Sequence, residues 1–303
     1  MTSNVRLSSI IAPSFAEVHR DIKAGGHTHY WLPGGRGSTK SSFVSIEIPL
    51  GMMRDAARGE MTNAVVLRRY GVTLRDSVFA QLLWGLEALG VAHLWKATLS
   101  PATLTYKRTG QQILFRGADD PMKAKSIKAA RGYIKYAWYE EVNEFEGEEK
   151  LRSINQSLMR GGSSFVFFYT FNPPPSSRNW CNQYVALEHP ATMVVHSTYL
   201  TVPREWLGEP FLLEAEHLKE VKPTAYRHEY LGEVTGTGGE VFDNVNFVQL
   251  PDEMIAKFDR IRRGIDWGYA TDPFAYNECH YDKTRRRLYI YRELHQVRLK
   301  NRR

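Results

Sequence analysis

The stretch from Pro33 to Phe43, PGGRGSTKSSF, gathers the residue types that grip a phosphate. Counted from Gly34, it reads glycine, four residues, Thr39, Lys40, Ser41. A phosphate cradle needs backbone N–H groups aimed inward, a lysine for the terminal phosphates and a hydroxyl for Mg2+, all at a helix N-terminus. Gly34, Gly35, Arg36, Gly37, Ser38, Thr39, Lys40, Ser41 and Ser42 form the candidate nucleotide-binding set. Thr39 stands where the common motif has its second glycine, and a positive φ is disfavoured for a branched side chain. Gly35 or Gly37, and not Thr39, is therefore expected to take the strained conformation. The competing reading is a basic turn in which Ser41 or Ser42 caps a helix.

A phosphate loop makes a demand elsewhere in the chain, because Mg2+ and an attacking water require carboxylates at the end of another strand of the same sheet. The apolar run GYIKYAWYEE ends in Glu140 and Glu141. Glu140, with Ser41, is the candidate on the Mg2+ side, acting through water. Glu141 is the candidate that orients and deprotonates the hydrolytic water, so Lys40 and Glu141 are the expected catalytic pair. Alternatively, the two acids favour the start of a following helix through its dipole. A third run, FFYTFNPP, places Thr170 and Asn172 at a strand end, where ligands bind in open α/β folds. Such groups sense a γ-phosphate and couple its loss to motion, or else Asn172 caps the turn before Pro173.

The elements that must hold these residues are readable in outline. THYWLP (28–33) is expected as a strand before the glycine loop, and SSFVSIEIPLGMMRDAARG as the helix after it, kinked or interrupted at Pro49. NAVVLRRY (63–70) reads as a buried strand and residues 73–90 as an amphipathic helix. ATLTYKR and QQILFRG read as a hairpin around Thr109-Gly110. Residues 132–141 form a strand, 149–161 a helix and 163–175 a strand running into three prolines. Strands alternating with helices imply a mostly parallel sheet covered on both faces. From about residue 195 the texture turns helical and polar, and from about 261 three strands follow, with turns at Ala270–Pro273 and Lys283–Arg286. A boundary near 235–260 is expected. The piece beyond it, about 45 residues, is short for an independent core.

Composition is that of a globular protein, with 43% hydrophobic and 24% charged residues among 303. No window approaches the ~20 apolar residues of a membrane span, and the N-terminus lacks the apolar core of a secretion signal. Cys181 and Cys279 suggest neither a disulfide framework nor a zinc site. The net charge of +7 is local. Residues 283–303 hold nine Lys/Arg against the single acid Glu293, so the rest of the chain is neutral overall. That tail either binds phosphates through counterion release or is a solvated hairpin surface.

Taken together, GGRGSTKSSF, FRGADDPMKAKSIK, GYIKYAWYEEVNEF, FFYTFNPPP, YRHEYLGE and GIDWGYATDPFAY occur in the order seen in large terminase subunits of tailed phages. The chain looks most like the PBSX-type variant, over about residues 25–295. The resemblance implies an α/β P-loop ATPase of the additional-strand, catalytic-glutamate type over 1–195. It also implies a helical linker subdomain over 196–260 and the opening part of an RNase H-like nuclease over 261–303. Threonine before the lysine and a Glu-Glu pair are accepted variants in that family. It further implies ATP and Mg2+ as cofactors, and Mg2+ or Mn2+ at a nuclease site. The implied partners are double-stranded DNA, a portal protein, a small terminase subunit and a homo-oligomeric ring, in the cytoplasm of a bacterial host and without a membrane. An arginine that neutralises the transferred phosphoryl group is required, with Arg36, Arg68, Arg69 and Arg116 as candidates. Asp266 sits where the nuclease's first metal-binding aspartate belongs. Only Asp272, Glu278, Asp282 and Glu293 follow it, so the nuclease is expected to be truncated and inactive, with Tyr289 and Tyr291 on an exposed hairpin. Other readings compatible with the residues are a helicase-like ATPase and a nucleotide-independent DNA-binding or assembly protein.

Overall fold

The computed structural model describes residues 5–119, 127–236, 248–267 and 274–297. The chain divides into two compact units, Met1–Glu240 and Val241–Arg303. The expected 196–260 segment is thus shared between them.

In the first unit, helix α1 (Ala16–Ala24) precedes β1 (His29–Pro33), the glycine loop and α2 (Lys40–Ala57). There follow β2 (Thr62–Arg68), α3 (Ala80–Ala88), β3 (Trp95–Leu99), β4 (Ala102–Tyr106), β5 (Gln112–Gly117) and β6 (Tyr133–Glu140). Then come α4 (Glu148–Leu158), β7 (Val166–Phe171), α5 (Trp180–Val185) and β8 (Thr192–Val194). The unit ends with the helices α6 (Glu209–Val221) and α7 (Pro223–Glu229). The eight strands form one sheet in the order β3-β4-β5-β2-β6-β7-β1-β8. From β5 to β8 every pairing is parallel, while β4 and β3 add antiparallel strands beyond β5. One strand, β7, lies between the strand that leads into the phosphate loop and the strand that carries the acids.

The strands read as continuous apolar runs because both sheet faces are covered. All six residues of β7 are buried, as are the first six of β2. On one face, Tyr30, Leu32, Tyr136, Trp138 and Phe168 pack with α1, α2 and α3. On the other, Trp31, Tyr139, Tyr169 and Phe171 pack with Leu151, Ile154 and Leu158 of α4 and Cys181 of α5. Trp31 and Tyr139 both stack on Tyr169, at ring separations of 4.4 and 5.0 Å.

Helix α2 runs through Pro49 without a break, so of the expected kink or interruption the interruption is not found. A proline inside a helix costs about 3 kcal/mol. The burial of Phe43, Val44, Ile46, Ile48 and Met52 on the same helix outweighs that. Proline has no N–H for the Ser45 carbonyl, and Gly85 of α3 packs directly against that oxygen. Strands β3 and β8 lie outside the elements expected from the sequence. The first is mostly exposed, and the second has three residues, too few to show a period of two.

In the second unit, β9 (Ile261–Asp266), β10 (Phe274–Asp282) and β11 (Arg287–Gln296) form an antiparallel sheet in the order β11-β10-β9. Tyr289 and Tyr291 are less exposed than expected, because Phe258 lies against both rings at 5.5 and 5.3 Å. Apolar groups that do face solvent among the described residues there include Ile261, Ile265, Trp267, Leu288 and Ile290. Asp272 and the basic residues Arg298, Lys300, Arg302 and Arg303 lie outside the described residues.

Candidate nucleotide site

The site forms where β1, β6 and β7 end together. Registry places Thr170 of β7 opposite Leu32 on one side and Glu140 on the other. The glycine loop leaves the end of β1, and α2 begins at Lys40, so the amides of its first turn have no partner within the helix. Thr39 adopts a left-handed conformation, φ 62° and ψ 18°, and Gly37 has φ 74°. The expectation thus holds at Gly37 and fails at Thr39. A left-handed backbone costs a branched residue about 1–2 kcal/mol, and the loop just before Thr39 is fastened by the contacts below.

Those contacts come from a segment that reasoning from the phosphate motif alone did not connect to it. The Gly35 amide donates to the Ser197 carbonyl at 3.1 Å and the Arg36 amide to the Glu229 carbonyl at 2.8 Å. A Cβ on Gly35 would lie 1.9 Å from the Tyr230 carbonyl oxygen, and one on Gly232 (φ 68°) would lie 2.6 Å from the Gly35 nitrogen. Two glycines nearly two hundred residues apart in sequence therefore meet backbone to backbone. Behind them, Tyr199, Ala215, Tyr226 and Tyr230 form a small core with α6 and α7, and the Tyr199 and Tyr226 hydroxyls bond at 2.9 Å. The signal for this was YRHEYLGE, whose glycine and preceding helix are the parts that touch the loop.

Lys40 donates to Asn172 Oδ1 at 2.5 Å and to the Gly34 and Gly35 carbonyls at 3.3 and 3.4 Å. Burial lowers its pKa, and the nearby Glu140 and Glu141 oppose that shift. Ser41 Oγ donates to Glu140 Oε1 at 3.0 Å, and the Thr170 hydroxyl donates to Glu140 Oε2. Burial raises the Glu140 carboxyl above the ordinary range. The Thr170 bond, Ser41 and Lys40 pull it down, and Glu141 pushes it further up. Glu141 follows with φ 52° and ψ 52°, left-handed for a non-glycine residue. Burial raises its pKa as well, against the opposing pull of Lys40, Arg68 and Arg36 and with the addition of Glu144.

Of the four arginines, Arg69 donates to the Glu144 carbonyl at 2.8 Å and Arg116 to the Phe115 carbonyl at 2.8 Å. Arg36 and Arg68 are the two whose charge acts on Glu141. Among the described residues, Arg68 Nε is buried without an acceptor, and so are Ser38 Oγ and Thr39 Oγ1 in the glycine loop. Buried hydroxyls and a guanidinium with unmet hydrogen-bonding capacity, beside a free helix start, suit a polyanionic phosphate group. The Ser41 hydroxyl and Glu140 carboxylate are hard oxygen donors of the kind Mg2+ takes while keeping several waters. Clefts of about 250 and 930 Å3 lie elsewhere, along residues 199–216 and at the opposite ends of the strands. Neither holds these groups, and the donor set defines the site better than the hollow does.

Asp266 lies exposed at the end of β9 in the second unit, paired with Ala275. Glu278 there is engaged by Arg263 at 2.7 Å, Arg292 at 3.1 Å and the Tyr276 hydroxyl at 2.8 Å. Among the described residues no group of three or more His, Cys, Asp or Glu gathers to hold a metal.

A family profile described as phage terminase large subunit matches residues 26–233, most of the first unit and the whole of the site. The chain belongs to the phage terminase large subunit family. It is 42% identical over 306 residues to the terminase large subunit of Bacillus phage SPP1, covering 98% of this chain and 71% of that one. It is 28% identical over 292 residues to the PBSX phage terminase large subunit of Bacillus subtilis strain 168, covering 89% and 64% respectively. In fold it resembles the large terminase of a thermophilic bacteriophage, with a TM-score of 0.58 at 14% identity over 94% of this chain and 68% of that one. The same thermophilic phage protein has also been solved in complex with ADP, with a TM-score of 0.56 to this chain at 15% identity over the same shares. The first unit is a P-loop ATPase fold of the terminase type. Among the described residues no helix is long and apolar enough to cross a membrane.

Proposed function

We propose that the residues around the glycine loop form the ATP-hydrolysing centre of a DNA-packaging motor. As a terminase large subunit, the chain is an ATPase that drives packaging of phage DNA. The carrying observation is the convergence of Lys40, Ser41, Glu140 and Asn172, linked by hydrogen bonds of 2.5 to 3.0 Å, beside two buried hydroxyls without partners.

The amides from Gly37 to Lys40, beyond those fastened to Ser197 and Glu229, and the Ser38 and Thr39 hydroxyls hold the phosphates of ATP. Lys40 exchanges its loop carbonyls for phosphate oxygens and places its charge where the leaving group develops its own. Ser41 and Glu140 would hold Mg2+, Glu140 through water, and the ion would supply positive charge for phosphoryl transfer. Glu141 orients the attacking water and takes its proton. Its raised pKa makes it a stronger base than a solvated carboxylate. Arg68 and Arg36 are the arginines placed to act on charge near Glu141. Asn172 and Thr170 couple loss of the γ-phosphate to the sheet edge, and α6 and α7 receive the movement through the Gly35–Gly232 contact. Duplex DNA, a portal, a small terminase subunit and a ring of identical subunits in the bacterial cytoplasm complete this reading. Residues 196–260 act as its linker. The second unit is read as the opening strands of an RNase H-like nuclease, with Asp266 as its first metal-binding carboxylate.

Lys40→Ala and Glu141→Gln are each expected to lower ATP turnover by at least about 100-fold. Lys40→Ala should also weaken ADP binding, whereas Glu141→Gln should retain it. Unchanged turnover in both variants would remove the assignment.

A further inference from the structure

We propose that Trp138 is a positioning residue for this site: its indole N–H sets the direction of the Thr170 hydroxyl and, through it, the orientation of the Glu140 carboxylate. The proposal rests on the reading of Glu140 as the acid on the Mg2+ side.

Indole Nε1 carries a hydrogen and has no lone pair to offer, so it can only donate. Its partner is Thr170 Oγ1 at 2.8 Å. A threonine hydroxyl that accepts this bond has one proton left to give. Two acceptors are in reach, Glu140 Oε2 and the Tyr139 carbonyl, the latter at 3.4 Å. The carboxylate is both closer and charged, so it takes the proton. The donors therefore run one way, from Trp138 to Thr170 to Glu140. The remaining carboxylate oxygen, Oε1, accepts from Ser41 at 3.0 Å. Each oxygen of Glu140 thus has one fixed donor.

Strand geometry makes the arrangement. Trp138 and Glu140 are two apart on β6 and share a face, and Thr170 lies directly across from Glu140 on β7. Trp138 and Thr170 are both fully buried, so no water competes for the indole or the hydroxyl. The Thr170 bond also holds the Glu140 carboxyl down against the burial that raises it. Without the indole, the Thr170 hydroxyl is free to rotate toward the Tyr139 carbonyl, and Glu140 keeps only its Ser41 bond.

Trp138→Phe removes the donor and keeps an aromatic ring in the core, and Thr170→Val removes the hydroxyl at nearly constant shape. Two readouts apply: the Mg2+ concentration giving half-maximal ATP turnover, and ADP affinity by calorimetry with and without Mg2+. Both variants are expected to need about 10–100-fold more Mg2+ and to lose the Mg2+-dependent part of ADP affinity. Metal-free ADP binding should stay as in the parent chain. The double variant should be no worse than the weaker single one, and Thr170→Ser should recover most of what Thr170→Val loses. Unchanged Mg2+ dependence in folded Trp138→Phe, or losses that add in the double variant, would overturn the proposal. If Trp138→Phe does not fold, the contrast between Thr170→Val and Thr170→Ser decides alone, and equal Mg2+ dependence in those two overturns it. Glu140→Gln separates the underlying reading: if that variant keeps its Mg2+ dependence, the error lies in the role of Glu140 and not in the relay.

Discussion

Glu141 carries two burdens at once, a left-handed backbone at φ 52° and a carboxyl whose ionised form burial disfavours. Because its folded pKa is raised, Glu141 binds its proton more tightly in the folded chain than in the unfolded one. Its contribution to stability is therefore full below the unfolded value of about 4.3 and is lost as pH rises through the raised folded value. Glu141→Gln should accordingly raise the thermal midpoint near pH ~8, by about 2–4 °C per ~1 kcal/mol relieved, with the gain shrinking toward pH ~4. Thermal unfolding of both proteins across that range checks this, and a pH-independent gain would contradict it. The acid limb of ATP turnover should lie above the ordinary carboxylate range for the same reason. At this scale the sequence was informative: Lys40, Ser41, Glu140, Thr170 and Asn172 meet as their types and spacing require. Thr39 was misjudged because a local steric rule has no access to the Ser197 and Glu229 carbonyls that fasten the loop. Trp138 was invisible as anything but core, since an apolar strand position says nothing about where an indole N–H points.

The glycine loop behaves as an element with two attachments, one to the strand ends and one to the segment after α7. Gly232 is a close point of the second, with a positive φ and the Gly35 nitrogen where a side chain would stand. Gly232→Ala should destabilise the first unit by about 1–3 kcal/mol and weaken ADP binding together with it. Denaturant unfolding paired with calorimetry measures both, and an alanine tolerated in both would dissolve the attachment. The strands β1, β2, β6 and β7 were legible because buried parallel strands are uninterrupted apolar runs. Pro49 does not interrupt α2, because the rule against proline in helices is local while the burial that keeps α2 intact is tertiary.

At the scale of the whole molecule, charge and fold are distributed unevenly. The first unit holds the nucleotide chemistry, and the turn from β10 into the start of β11 carries Arg285, Arg286 and Arg287, all exposed. If that turn meets DNA phosphates, replacing all three with alanine should weaken duplex binding and reduce the slope of log affinity against log salt by about 2–3. A salt titration reads this directly, and an unchanged slope would return the turn to plain solvated surface. Both the concentration of basic residues near the C-terminus and the hairpin turn at Lys283–Arg286 were legible in the sequence. The contact between Gly35 and Gly232 also has a meaning in time. At about 5–20 residues per second, Gly232 leaves the ribosome roughly 10–40 s after the glycine loop. Throughout that interval the nascent chain displays its phosphate motif without the partner that completes it. ATP binding should therefore appear late in biogenesis, as a sign that nearly all of the first unit has been made and closed.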